Sequence, residues 1–119
     1  MSSQDYLVEM TFDPFSTLLT PPEILAFGER MALPTIEALR QLAASGRILA
    51  GGTFLAASGF IFIARVSSPQ ELDEMMIGLP LFPRARTRVV ALGTFESRGA
   101  ALRGRLDMGK SAAQAPSQG

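Results

Sequence analysis

Residues 60–66 read Phe-Ile-Phe-Ile-Ala-Arg-Val, with no polar side chain before Arg65. Such a run is apolar on both faces and predicts a strand inside a sheet, covered on both sides. Before it stands Arg-Ile-Leu-Ala-Gly-Gly-Thr-Phe-Leu from Arg47, joined to it through Ala57, Ser58 and Gly59. The two halves read as an antiparallel hairpin. Gly51-Gly52 predicts a bulge or sharp coil in the first half. Near the start, Tyr6, Val8, Met10 and Phe12 alternate with Leu7, Glu9 and Thr11. That period of two predicts a further strand, ended at Asp13-Pro14-Phe15-Ser16.

Two helical stretches separate these strands from each other and from a last one. Thr20-Pro21-Pro22-Glu23 combines a cap, prolines in the first turn and a glutamate three residues on, so a helix is expected from there to about Ala44. Its buried stripe is Ile24, Phe27, Met31, Ala38 and Leu42. Pro34 should kink it or split off Thr35 to Ala44 as a second piece, and Ser45-Gly46 suits its C-terminus. Ser68-Pro69-Gln70-Glu71 repeats the start signal; Leu72, Met75, Met76 and Leu79 then form the stripe of a shorter helix, stopped at Gly78-Leu79-Pro80. A last strand is expected from about Arg86 to Phe95.

The order strand, helix, strand, strand, helix, strand predicts an α+β fold, the ferredoxin-like βαββαβ arrangement, with a four-stranded antiparallel sheet and two helices on one face. Residues 1–96 form this domain, and 97–119 read as a C-terminal arm or a disordered tail, with 110–119 disordered. Helices on one side bury Phe60 and Phe62 or Ile61 and Ile63, but not both pairs. A second subunit is the natural cover for the other face; a folded-over helix or tail is the competing one.

Composition narrows the chemistry. The 119 residues suit one domain. Eleven basic and eleven acidic residues give a formal net charge of zero, which argues against a nucleic-acid or anionic-membrane surface as the main function. No run approaches membrane-spanning length. The absence of cysteine and of a signal-peptide pattern at the N-terminus fits a cytoplasmic protein. With no histidine, cysteine or tryptophan, imidazole chemistry, thiol nucleophiles and the usual nitrogen and sulfur metal ligands are excluded. Carboxylates, hydroxyls, arginines, Tyr6 or a bound cofactor remain.

The segment Ile77-Gly78-Leu79-Pro80-Leu81-Phe82-Pro83, between the second helix and the last strand, resembles the muconolactone isomerase family. The surrounding context agrees over residues 5–95, and Gly46-Arg47-Ile48-Leu49-Ala50-Gly51-Gly52 is also similar to the related YCII-like proteins. The resemblance implies a dimeric α+β barrel, in which two sheets face each other around a pocket, as a homodimer or higher oligomer. It also implies a lactone double-bond isomerase that moves a proton without cofactor or metal. The family enzymes carry His and Trp near the hairpin strand and an aromatic after the Leu-Pro-Leu-Phe-Pro motif; here the first two are missing and Arg84 takes the third place.

On this reading Glu9 is the candidate proton carrier, with Tyr6 as a phenol donor to a lactone carbonyl. A salt bridge from Glu9 to Arg88 or Arg65 is the competing reading. Arg84, Arg86 and Arg88, two apart, should share one strand face and hold a carboxylate there, or else line a solvated edge. Arg30, near the Pro34 kink, and Phe82 complete the candidate substrate-binding set. Two functions are therefore expected: a cofactor-free isomerase acting on an acidic ring metabolite, or a non-catalytic, accessory barrel that binds a small molecule or a protein.

Overall fold

The computed structural model describes residues 3–12, 20–55 and 58–114. The expected Asp13–Ser16 turn and Ala57 lie outside these. Strand β1 is Gln4–Thr11, β2 Ile48–Thr53, β3 Gly59–Val66 and β4 Arg86–Leu92. They form one antiparallel sheet in the order β2-β3-β1-β4. Helices α1 (Pro21–Phe27), α2 (Leu33–Ala44) and α3 (Pro69–Ile77) supply the helical layer. The fold is α+β and ferredoxin-like, as the element order predicts.

The starts of the helices follow the sequence signals. Glu23 reaches back over the first turn of α1, and its carboxylate accepts from the Thr20 amide at 3.2 Å and hydroxyl at 2.7 Å. Ser68 caps α3, its hydroxyl accepting from the Glu71 amide at 3.2 Å. Glu71 is the most tied acidic group here. It accepts from the Ser67 amide and from Arg47 Nη2, both at 2.8 Å. Together with the Ser67 hydroxyl these donors lower its pKa to about 2.

The helix is split, as expected near Pro34, into α1 and α2, with the second piece beginning at Leu33 rather than Thr35 and Pro34 in its first turn. A π-helical turn, Gly28–Ala32, joins α1 to α2. The Leu33 amide donates to the Gly28 carbonyl, five residues back, so one extra residue widens the turn just before the proline. Thr35 completes the joint. It is fully buried; its hydroxyl donates to the Met31 carbonyl at 2.7 Å and accepts from the Leu81 amide at 3.1 Å. One side chain therefore ties the first helix to the Leu79–Pro83 segment. In that segment Leu79 and Leu81 are buried in the core, and Phe82–Arg84 makes one 3₁₀ turn.

The core lies between sheet and helices. Val8 and Met10 from β1, and Phe60, Phe62, Ala64 and Val66 from β3, meet Leu72, Met75 and Met76 of α3 and the two leucines. Phe27, Met31, Ala38 and Leu42 pack on it as expected, but Ile24 is 42% exposed. The hairpin irregularity falls at Leu49, between Ile48 and Ala50, rather than at Gly51-Gly52. Gly51 has a different reason to be glycine: at φ 153°, a Cβ there would collide with the Ile61 carbonyl and with Phe62.

The last strand ends at Leu92 rather than Phe95. Beyond it, Phe95–Gln114 is one helix, α4, with no buried residue, so the stretch expected as an arm or a tail is helical as far as Gln114. Thr94 caps it, its hydroxyl accepting from the Ser97 amide at 3.0 Å. Alanine, leucine, arginine and methionine, all good helix formers, outweigh its glycines. Residues 115–119 lie outside the described part.

Candidate functional site

The pleat places alternate residues of each strand on opposite faces of the sheet. One face is the core. The other carries Asp5, Leu7, Glu9 and Thr11 of β1, paired in register with Arg65, Ile63, Ile61 and Gly59 of β3. On its other side β1 pairs these residues with Leu92, Val90, Arg88 and Arg86 of β4. Leu7, Ile61, Ile63, Val90 and Leu92 are only half-buried, because the helices α1 to α3 lie on the core side. The result is an apolar band across β1, β3 and β4 with charge at both ends.

At one end Arg65 grips Asp5 with two hydrogen bonds, Nε to Oδ1 at 2.9 Å and Nη2 to Oδ2 at 3.1 Å. Those bonds hold the Asp5 carboxyl below its ordinary pKa. At the other end Arg88 Nη1 stands 3.7 Å from Glu9 Oε2, a looser ion pair. The Glu9 side chain keeps 33% of its surface open and Arg88 71%. Arg86 follows on the same face, beside Thr11. A looser pair can exchange its partner for an incoming carboxylate more readily than the bidentate Asp5–Arg65 pair can.

The candidate residues read from sequence divide between the two sides of the sheet. Glu9, Arg86 and Arg88 come together on the open face. Tyr6 does not join them: it has the parity of Val8 and Met10 and packs against the core, since residues three apart on a strand point to opposite faces. Phe82 is half-buried against the same core. Arg84 also leaves its expected row. It lies in the 3₁₀ turn, before β4 begins, and its guanidinium sits 5.9 Å from the centre of the Phe27 ring. Arg30, in the π-helical turn, lines a cleft of about 250 Å³ with Glu23, Ala26, Phe27, Met31 and Arg84. This cleft is on the helical side.

A further cleft, about 360 Å³, runs between α2 and the β2–β3 hairpin, along Ile36, Leu39, Ala43, Ile48 and Phe60. It is mostly apolar and contains none of the candidates above. Its one cation, Arg40, is paired with Glu37 at 3.0 Å. Two hydroxyls escaped the sequence reading. Thr35 is the joint described above. Thr87 has a buried Oγ1 without a hydrogen-bond partner among the described residues, on the strand position opposite Met10. A threonine among arginines gives no sign of burial, so only the parity of β4 could have indicated it. Among the described residues, no group of three acidic side chains is placed to hold a metal ion, and no helix is long and apolar enough to cross a membrane. No family model matches the chain, and no curated protein shows significant similarity to it.

Proposed function

We propose that this is a small-molecule-binding protein of the muconolactone isomerase kind, working on an acidic lactone at the open face of its sheet. One observation supports this reading above others: Glu9, Arg86 and Arg88 share that face, with the Arg88 guanidinium 3.7 Å from the Glu9 carboxylate. The arginines would take the substrate carboxylate bidentately. Glu9, released from Arg88 by that exchange, would remove a proton from a ring carbon beside the double bond. The C–H electrons move into the conjugated system, the lactone carbonyl bears the charge as a dienolate, and Glu9 returns the proton to the far carbon. Nothing is oxidised or reduced overall, and the sequence needs no cofactor.

The same face explains the proposed homodimer. A second copy, sheet against sheet, would cover Leu7, Ile61, Ile63 and Val90 and close the site over Glu9. Closure also raises the strength of each charge contact by excluding water. The proposed setting is the cytoplasm, which suits a cysteine-free chain. The second reading, a non-catalytic or accessory barrel, is favoured by the ion pair itself: Glu9 already has a partner, as a purely structural glutamate would.

The test is turnover of carboxylate-bearing butenolides in D₂O, followed by proton NMR. Wild-type protein should shift the double bond or exchange a ring proton, and Glu9→Gln should lower the rate at least 100-fold, the lower range for a positioned acid–base group. Turnover unchanged in Glu9→Gln would remove Glu9 from the chemistry. No turnover of any lactone by a folded dimer would leave the accessory reading.

A further inference from the structure

Helix α4 contributes nothing to the core. All of its apolar side chains are exposed: Phe95 98%, Leu102 47%, Leu106 62% and Met108 74%. None of its residues is buried, and the long axis of the molecule reaches 80 Å. An isolated helix of about 12–15 residues is marginal in water even when rich in alanine. This one carries Gly99, Gly104 and Gly109, each of which lowers helix propensity. Among the described residues, a Cβ at any of the three would meet nothing within 4 Å, so no packing among them calls for glycine there.

The pattern along the helix supplies the missing reason. Phe95, Gly99, Leu102, Leu106, Gly109 and Ala113 are spaced alternately by four and three, which keeps them in one stripe roughly 80° wide at 3.6 residues per turn. The stripe is self-complementary when read in reverse. About a midpoint at Gly104, Leu102 meets Leu106 of a second copy, Gly99 meets Gly109, and Phe95 meets Ala113. Phe95 and Ala113 set large against small, Leu102 and Leu106 meet as equals, and the facing glycines let two backbones approach. At the flank, Glu96 comes opposite Lys110 of the second copy. Arg103 and Arg105 each face their own counterpart near the axis, an exposed like-charge contact that limits the affinity. On a lipid surface, by contrast, glycines in the apolar stripe would contribute nothing to insertion.

We infer that α4 pairs antiparallel with α4 of a second copy, through the Phe95–Ala113 stripe. This interface is separate from the open sheet face and independent of the proposed function.

The chain has no cysteine, so single cysteines report pairing directly. Full-length Leu102→Cys and Leu106→Cys proteins are mixed, oxidised and resolved by mass spectrometry. The expected product is the mixed 102–106 disulfide, several-fold over either homodisulfide. In separate proteins, Gly104→Ala should leave that cross-link intact, whereas Gly99→Ala with Gly109→Ala should reduce it several-fold while helicity rises. A dominant Leu102→Cys homodisulfide would mean parallel pairing and overturn the inference. So would the absence of any cross-link in protein of unchanged circular dichroism. Binding to phosphatidylserine vesicles without a cross-link would assign the helix to a membrane instead.

Discussion

The two faces of the sheet are built from the same strands by the same alternation, yet they do different work. On the covered face, Val8, Met10, Phe60, Phe62 and Ala64 are buried by the helices and by Leu79 and Leu81. On the open face, residues one position along are half-exposed and mixed with Asp5, Glu9, Arg65, Arg86 and Arg88. The covered face explains why the chain folds. The open face holds what folding does not require: aliphatic side chains left partly in water, and a loose ion pair. The core and the proposed site are set apart by one residue along each strand.

Substitutions on the two faces should therefore differ sharply. Leu79, 1% exposed, belongs wholly to the covered side, and Leu79→Ala should lower unfolding free energy by about 2–5 kcal/mol in urea titration. Ile63→Ala, on the open face, should cost about 1 kcal/mol or less when the protein is dilute, and more when concentrated if a second copy covers it. A cost that is large at every concentration would mean that the face is already buried within one chain.

Thr35→Val sharpens the contrast from the covered side. It keeps the shape but leaves the buried Leu81 amide without an acceptor, at about 1–3 kcal/mol. The matching change on the open face, Glu9→Gln, should alter stability by less than about 0.5 kcal/mol, because the Glu9–Arg88 pair is long and open to water. Loss of turnover without loss of stability would mark Glu9 as functional; the reverse would mark it as structural.

The smallest expected effect is with pH. Glu71 has its pKa lowered from 4.5 to about 2 by Ser67 and Arg47. The folded state therefore holds the ionised form more tightly than the unfolded chain does. Its contribution is complete above pH 4.5 and is lost as pH falls toward 2. Asp5, also lowered through Arg65, works in the same direction. Glu71→Gln should flatten the acid side of a plot of melting temperature against pH, and an unchanged slope would show that these bonds are not kept in solution.

Much of this was legible in the chain. Strand parity, both capping glutamates and the stripe Leu72, Met75, Met76 and Leu79 were readable because each depends on neighbours within a few residues. What local pattern could not decide was where side chains go after the backbone leaves a regular element. In the sequence Arg84 continues the row of Arg86 and Arg88, but Pro83 and the 3₁₀ turn put it over Phe27 instead. Tyr6 and Glu9 lie in one strand, and their odd spacing already set them on opposite faces. Pro34 was readable as a disturbance, but not the π-helical turn beside it, nor the bonds by which Thr35 links Met31 of that turn to Leu81, 46 residues away. The Leu-Pro-Leu-Phe-Pro segment, which carries the family resemblance, turns out to contribute two core leucines and a hydrogen bond to Thr35.

The most direct test of the open face is the melting-temperature shift given by carboxylate-bearing lactones, measured side by side on wild type and on Arg86→Ala with Arg88→Ala. A lactone acid at a hundred times its dissociation constant stabilises the folded state by roughly 2.7 kcal/mol. The account predicts a selective shift of that order in wild type and its loss in the double variant, with the unliganded melting temperatures nearly equal. A shift of the same size in both proteins would place the ligand elsewhere and contradict the assignment of the open face.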